Sequence, residues 1–125
     1  MARVLVAEDD AEVRALIGAV LRRAGHTVEF AADGRETIES IGEIDFDVVL
    51  LDLMMPVASG FEVLAWMHRA KPGMAKRSVI VVTAMAEKDL HNLGDGRVFA
   101  ILRKPFDIND LQAKIAEALT AAAPR

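Results

Sequence analysis

Phe46-Asp47-Val48-Val49-Leu50-Leu51-Asp52-Leu53-Met54-Met55-Pro56 is the stretch that decides how the chain is read. Its centre, Val48 to Leu51, is apolar without a break. A half-buried strand would alternate apolar and polar residues. An unbroken run predicts a strand, 46–51, covered on both faces, as in a parallel sheet. The strand then delivers an acid, Asp52.

Working outward, the same unit recurs. Upstream, Arg3–Ala7 and Thr27–Ala31 read as strands. Between them Val13, Leu16, Ile17, Val20, Leu21 and Ala24 share one face at helical spacing. Asp10 can cap that helix, and Arg22, Arg23 and Gly25 end it. Asp33 followed by Glu36 resembles a capping box for a second helix carrying Ile38 and Ile41. Downstream, Ser59 and Glu62 repeat the pattern for a third helix with Phe61, Leu64, Ala65 and His68, closed by Lys71-Pro72-Gly73. Ser78–Val82 predicts a fourth strand and Val98–Leu102 a fifth. Glu87–Leu93 predicts a short fourth helix before Gly94. Asp107 opens a last helix with Ile108, Leu111, Ile115 and Leu119 facing inward. Strands alternating with helices predict an open α/β sheet with right-handed crossovers.

Composition narrows the function classes. The 125 residues suit one domain, with 53% hydrophobic and 27% charged residues. The net charge of −4 and the absence of a basic stripe argue against nucleic-acid binding. Without cysteine there is no disulfide and no thiolate metal site. No signal-peptide layout and no apolar run near the roughly 20 residues of a membrane span are present. The expectation is a cytoplasmic protein without membrane partners.

In an open parallel sheet, ligands bind beyond the carboxyl ends of the strands. The residues expected there are Glu8, Asp9 and Asp10 after the first strand, Asp52 after the third, Thr83 after the fourth, and Lys104-Pro105 after the fifth. Carboxylates suit a hard cation such as Mg²⁺. A carboxylate is also a nucleophile toward phosphorus. An ammonium and a hydroxyl can then hold phosphoryl oxygens. Asp10 is read as the N-cap alone. His26, His68 and His91 lie on different elements without metal-ligand spacing, and Trp66 and the methionines read as packing residues.

These residues together resemble the bacterial response-regulator receiver domain. The resemblance rests on Glu8-Asp9, Asp52-Leu53-Met54-Met55-Pro56 with Gly60, Thr83-Ala84 and Lys104-Pro105-Phe106, with Arg14 and Asp33-Gly34 also matching. It implies a flavodoxin-like, doubly wound (βα)5 parallel sheet of strand order 2-1-3-4-5. It implies Asp52 as phosphoacceptor and Mg²⁺ held by Glu8, Asp9, Asp52 and the backbone carbonyl of Met54, with Glu8 acting mainly through water. Thr83 and Lys104 would contact the phosphoryl group, and the Lys104-Pro105 bond would be cis. The protein would be a phosphoacceptor switch rather than an enzyme. A sensor histidine kinase or a histidine phosphotransfer protein would be its donor. A downstream target would dock on the face of the fourth helix, fifth strand and fifth helix. Residues 1–125 would form one receiver without an output domain.

Two departures stand out. Ile101 occupies a position where most receivers carry Tyr or Phe, so the usual inward-turning ring is missing. Gly94-Asp95-Gly96-Arg97 replaces the common Gly-Ala pattern. Both predict signalling through backbone rearrangement of residues 84–97, with 94–97 mobile. Apolar Met54 and Met85 predict slow self-dephosphorylation. The alternative function is a receiver-like binding module that works without phosphate. Two enzyme classes fit worse. A flavodoxin-type cofactor site wants a Gly/Ser/Thr-rich loop where Glu8-Asp9-Asp10 stands, and an aspartate phosphohydrolase wants an acid where Met54 stands.

Overall fold

In the computed structural model, residues 2–93 and 97–122 are described. The strands are β1 (Arg3–Ala7), β2 (Thr27–Ala31), β3 (Val48–Leu51), β4 (Val79–Thr83) and β5 (Ala100–Arg103). All pair in parallel, in the order β2-β1-β3-β4-β5. The helices are α1 (Ala11–Arg23), α2 (Gly34–Glu43), α3 (Gly60–Ala70), α4 (Met74–Ser78) and α5 (Ile108–Ala122). This is the open α/β sheet the strand pattern predicts, with the flavodoxin-like strand order that the resemblance implies.

The apolar run of β3 explains the layering. Val49 and Leu51 join Leu5, Ala7, Val79 and Val81 on one face, packed against Ile41, Val63, Leu64 and Met67 of α2 and α3. Val48 and Leu50 join Val4, Val6, Ile80 and Val82 on the other, packed against Ile17 and Leu21 of α1 and Leu111 and Ile115 of α5. Every residue of β3 is therefore covered, which is why the run carries no polar residue.

The helix starts follow the predicted caps. The Asp10 carboxylate accepts the amides of Glu12 and Val13, and Asp33 accepts that of Glu36. Ser59 and Glu62 form a complete capping box. At α2 the reciprocal bond shifts by one residue, since Glu36 accepts the amide of Ala32 rather than that of the cap residue.

Four expectations change. The predicted helix at Glu87–Leu93 is two 3₁₀ turns, Glu87–Asp89 and His91–Leu93. Leu90 and Leu93 stand three apart and are both buried, the spacing at which a 3₁₀ turn aligns side chains. The fourth α-helix lies earlier, at Met74–Ser78. Gly73 at φ 87° turns the chain back into helix, and Met74 and Ala75 anchor it in the core. On α3 the buried residues are Gly60, Val63, Leu64 and Met67, whereas Ala65 and His68 are exposed. On α1, Leu16 is 53% exposed rather than core-facing. The mobility expected of residues 94–97 falls mostly on 94–96, which lie outside the described residues.

Candidate functional site

The topology brings the carboxyl ends of β1, β3, β4 and β5 side by side; β1 delivers Glu8 and Asp9, and the other three deliver Asp52, Thr83 and Lys104. Past Ala7 the strand β1 is held by two backbone bonds: Glu8 donates its amide to Ala31 O at 3.0 Å, and Asp52 donates its own to Ala7 O at 3.0 Å. Those bonds set Glu8 and Asp52 next to each other at the sheet edge. Across the strand order, Lys104 donates its amide to Thr83 O at 2.7 Å. The cis peptide Lys104-Pro105 follows, as expected from the resemblance.

The side chains converge on one ammonium. Lys104 Nζ donates to Glu8 Oε1 at 2.5 Å and to Asp52 Oδ2 at 3.1 Å. Asp52 Oδ1 accepts the amide of Met54 at 3.0 Å, and Glu8 Oε2 accepts that of Asp10 at 3.1 Å. Glu8 and Asp52 are buried, whereas Asp9 is exposed at the rim. Burial raises the Glu8 carboxyl above the ordinary carboxylate value, and the charge of Asp52 adds to the rise. The bonds from Lys104 and from the Asp10 amide oppose it. For Lys104, burial works against the charged form, but the hydrogen bonds and charges of Glu8 and Asp52 outweigh it and raise its value.

The donor set fits a hard divalent cation. Glu8, Asp9 and Asp52 each offer a carboxylate oxygen, all within 4.8 Å of one another. Mg²⁺ takes oxygen ligands and is commonly held by one or two carboxylates together with water.

Thr83 is buried at the end of β4, where its hydroxyl accepts the amide of Met85 at 3.2 Å. It joins the cluster through its backbone bond to Lys104 rather than through a side-chain contact with Asp52. Met54 exposes its side chain and touches Asp52 by its amide. Arg14 is a contributor that sequence reasoning recorded as a match without assigning it work: its guanidinium donates to the carbonyl of Glu8 at 2.7 Å.

A family model for the response regulator receiver domain matches residues 4–116. The chain belongs to that family. This receiver is 36% identical over 114 residues to the transcriptional regulatory protein TcrA of Mycobacterium tuberculosis, covering 90% of this chain and 44% of that protein. It is 31% identical over 123 residues to the response regulator receiver protein CpdR of Brucella abortus, covering 98% of this chain and all of CpdR. Among solved structures it is similar to the response regulator TrrA of Thermotoga maritima in complex with Mg²⁺-BeF, with a TM-score of 0.80 and 26% identity over 95% of this receiver and all of TrrA. The receiver thus spans under half of TcrA and the whole length of CpdR. Among its described residues no helix is long and apolar enough to cross a membrane.

Proposed function

We propose that this receiver accepts one phosphoryl group on Asp52 and switches a protein-binding surface in cytoplasmic two-component signalling. One observation carries the reading. A single ammonium, Lys104, bridges two buried carboxylates at the sheet edge where a third, Asp9, meets solvent. Such a cluster is costly to hold without a further cation, and a structural role does not require three acids there.

In the proposed reaction an Asp52 carboxylate oxygen attacks phosphorus on a phosphohistidine of the donor. The new O–P bond forms as the P–N bond breaks, and the imidazole leaves with the electron pair. Lys104 holds one phosphoryl oxygen. Thr83, whose hydroxyl accepts the Met85 amide, donates a hydrogen bond to another. Asp9, Asp52 and the Met54 carbonyl would hold Mg²⁺ directly, with Glu8 acting through water. When bound, the cation offsets the negative charge of the phosphoryl oxygens.

The donor would be a sensor histidine kinase or a histidine phosphotransfer protein. An apolar groove beside the site, lined by Val13, Leu16, Ala84, Pro105 and Phe106 with the stem of Lys104, suits it. This gives the exposure of Leu16 a purpose. A downstream protein would dock on the side of the molecule formed by the 3₁₀ turns, β5 and α5, where Ile101 of β5 is exposed. The net charge of −4 disfavours a nucleic-acid partner.

The test is intact-mass measurement after incubation with Mg²⁺ and a small-molecule phosphodonor. One added phosphoryl group is expected, absent with a chelator and absent in Asp52→Asn. No adduct, where a control receiver gains one, would favour the phosphate-independent module. A second expectation concerns lifetime. Met54 and Met85 flank the site and offer no strong hydrogen bond to an attacking water. Met54→Asn or Met85→Glu should shorten the phosphoryl half-life, because each supplies a polar group that can orient the attacking water. Equal half-lives across the three proteins would refute this.

A further inference from the structure

Strand β1 ends where its carbonyls lose their sheet partners. Beyond Ala7 the chain turns into the N-terminus of α1, and the carbonyls of Glu8 and Asp9 point out of the sheet ladder. Arg14, one turn into α1, reaches back over its own helix start. Its Nη1 donates to Glu8 O at 2.7 Å and lies 3.5 Å from Asp9 O. The first is a charge-assisted bond at full strength, and the second is marginal. The Arg14 amide is meanwhile held in the helix by Asp10 O at 2.9 Å. One residue therefore ties the α1 backbone to the peptide group that joins the acidic pair, Glu8 and Asp9.

We propose that Arg14 is a positioning residue for the cation site, fixing the β1–α1 turn so that Glu8 and Asp9 present their carboxylates toward Asp52. The inference rests on the reading of that cluster as a Mg²⁺ site. Arg14 itself touches no carboxylate among the described hydrogen bonds and ion pairs, so its action passes through the main chain. Its environment supports such a role rather than a core-packing one. The side chain is half-buried and lies along a surface groove with Ala11, Ala15, Ala19, Arg22 and Phe30.

Charge alone predicts the opposite sign. Removing a cation near a divalent metal should strengthen metal binding by Coulomb's law. Removing an outer group that orients ligands should weaken it, by about tenfold at the lower end of such effects. The direction of change therefore decides the question.

The experiment is a calorimetric Mg²⁺ titration of the wild type, Arg14→Met and Arg14→Lys, with a thermal melt of each in chelator. Met keeps an unbranched apolar stem and removes every donor. Lys keeps one donor and the charge. The expected result is about tenfold weaker Mg²⁺ binding for Arg14→Met, partial recovery for Arg14→Lys, and metal-free melting within a few degrees of the wild type. Phosphoryl uptake should then return to the wild-type maximum at saturating Mg²⁺, so the loss lies in the metal requirement and not in the maximal rate. Unchanged or tighter Mg²⁺ binding by Arg14→Met would overturn the proposal. So would a uniform loss of uptake at every Mg²⁺ concentration. A wild type that binds no Mg²⁺ would instead overturn the reading of the acidic cluster itself.

Discussion

Asp52→Asn and Lys104→Met are expected to abolish phosphoryl uptake alike and to move stability in opposite directions. Two buried carboxylates share one ammonium, at 2.5 Å and 3.1 Å. Asp52→Asn leaves one carboxylate facing one ammonium, and the repulsion between the acids is gone. A gain of about 1 kcal/mol is expected, the scale on which relieving a functional site stabilises. Lys104→Met leaves the two acids facing each other. Removing one partner of a buried pair costs about 3–5 kcal/mol. The Lys104 side chain keeps 20% exposure, so the lower end applies.

Acid and metal should both reduce the deficit of Lys104→Met. The Glu8 carboxyl is already held above its ordinary value by burial and by Asp52, and the variant loses the Lys104 bond that opposes this. A raised carboxyl favours the folded state below its unfolded value, and that contribution is lost as pH rises through the raised value. The variant should therefore lose least stability in acid and most at neutral pH. Mg²⁺ replaces the missing positive charge, so it should raise the variant's melting temperature by more than the wild type's. It cannot replace the ammonium at the phosphoryl oxygen, so uptake stays absent. Melting curves with and without Mg²⁺ at two pH values check all of this. A Lys104→Met protein that melts like the wild type at neutral pH in chelator would sink the account.

The parts of the fold legible in the sequence are those set by local pattern. The unbroken run at Val48–Leu51, the caps at Asp10, Asp33 and Ser59, and the alternation of elements are all short-range signals. The segment between β4 and β5 was not legible, because Leu90 and Leu93 satisfy a helix and a 3₁₀ turn equally from spacing alone. Helix α4 was hidden by its five residues and by the positive φ of Gly73, which reads as a stop signal in sequence. At the site, residue types at strand ends located Glu8, Asp9, Asp52, Thr83 and Lys104. Backbone donors leave no such trace. The amides of Met54 and Asp10, and the carbonyls that Arg14 holds, emerge only from the coordinates because any side chain can supply them. Leu16 shows a different limit. Helical spacing assigns a face, but only the fold reveals that part of that face is left open beside Phe106.

Three glycines offer one chemical change with opposite outcomes. A Cβ at Gly42, inside α2, would meet nothing within 4 Å. Gly42→Ala should therefore stabilise the protein by about 0.5–1 kcal/mol through helix propensity alone. A Cβ on Gly34 would fall 1.9 Å from Ala58 O, and one on Gly60 would fall 2.5 Å from Asp52 O and 2.6 Å from Leu53 Cα. Gly34 and Gly60 are the first residues of α2 and α3, so both helices press their opening turns against the chain leaving Asp52. Neither contact can be relieved by a flexible side chain, because the nearest atoms are backbone. Each Ala variant should lose about 2–3 kcal/mol, the upper range for overpacking. The two should still differ in function. Gly34→Ala displaces the loop at Ala58, six residues past Asp52. Gly60→Ala displaces the carbonyl of Asp52 itself, so its rate of phosphoryl uptake should fall further than that of Gly34→Ala at temperatures where both remain folded. Melting temperatures and uptake rates of the three variants separate the effects. If Gly60→Ala melts like Gly42→Ala, the helix start does not confine Asp52, and the close approach of α3 has no part in placing that carboxylate.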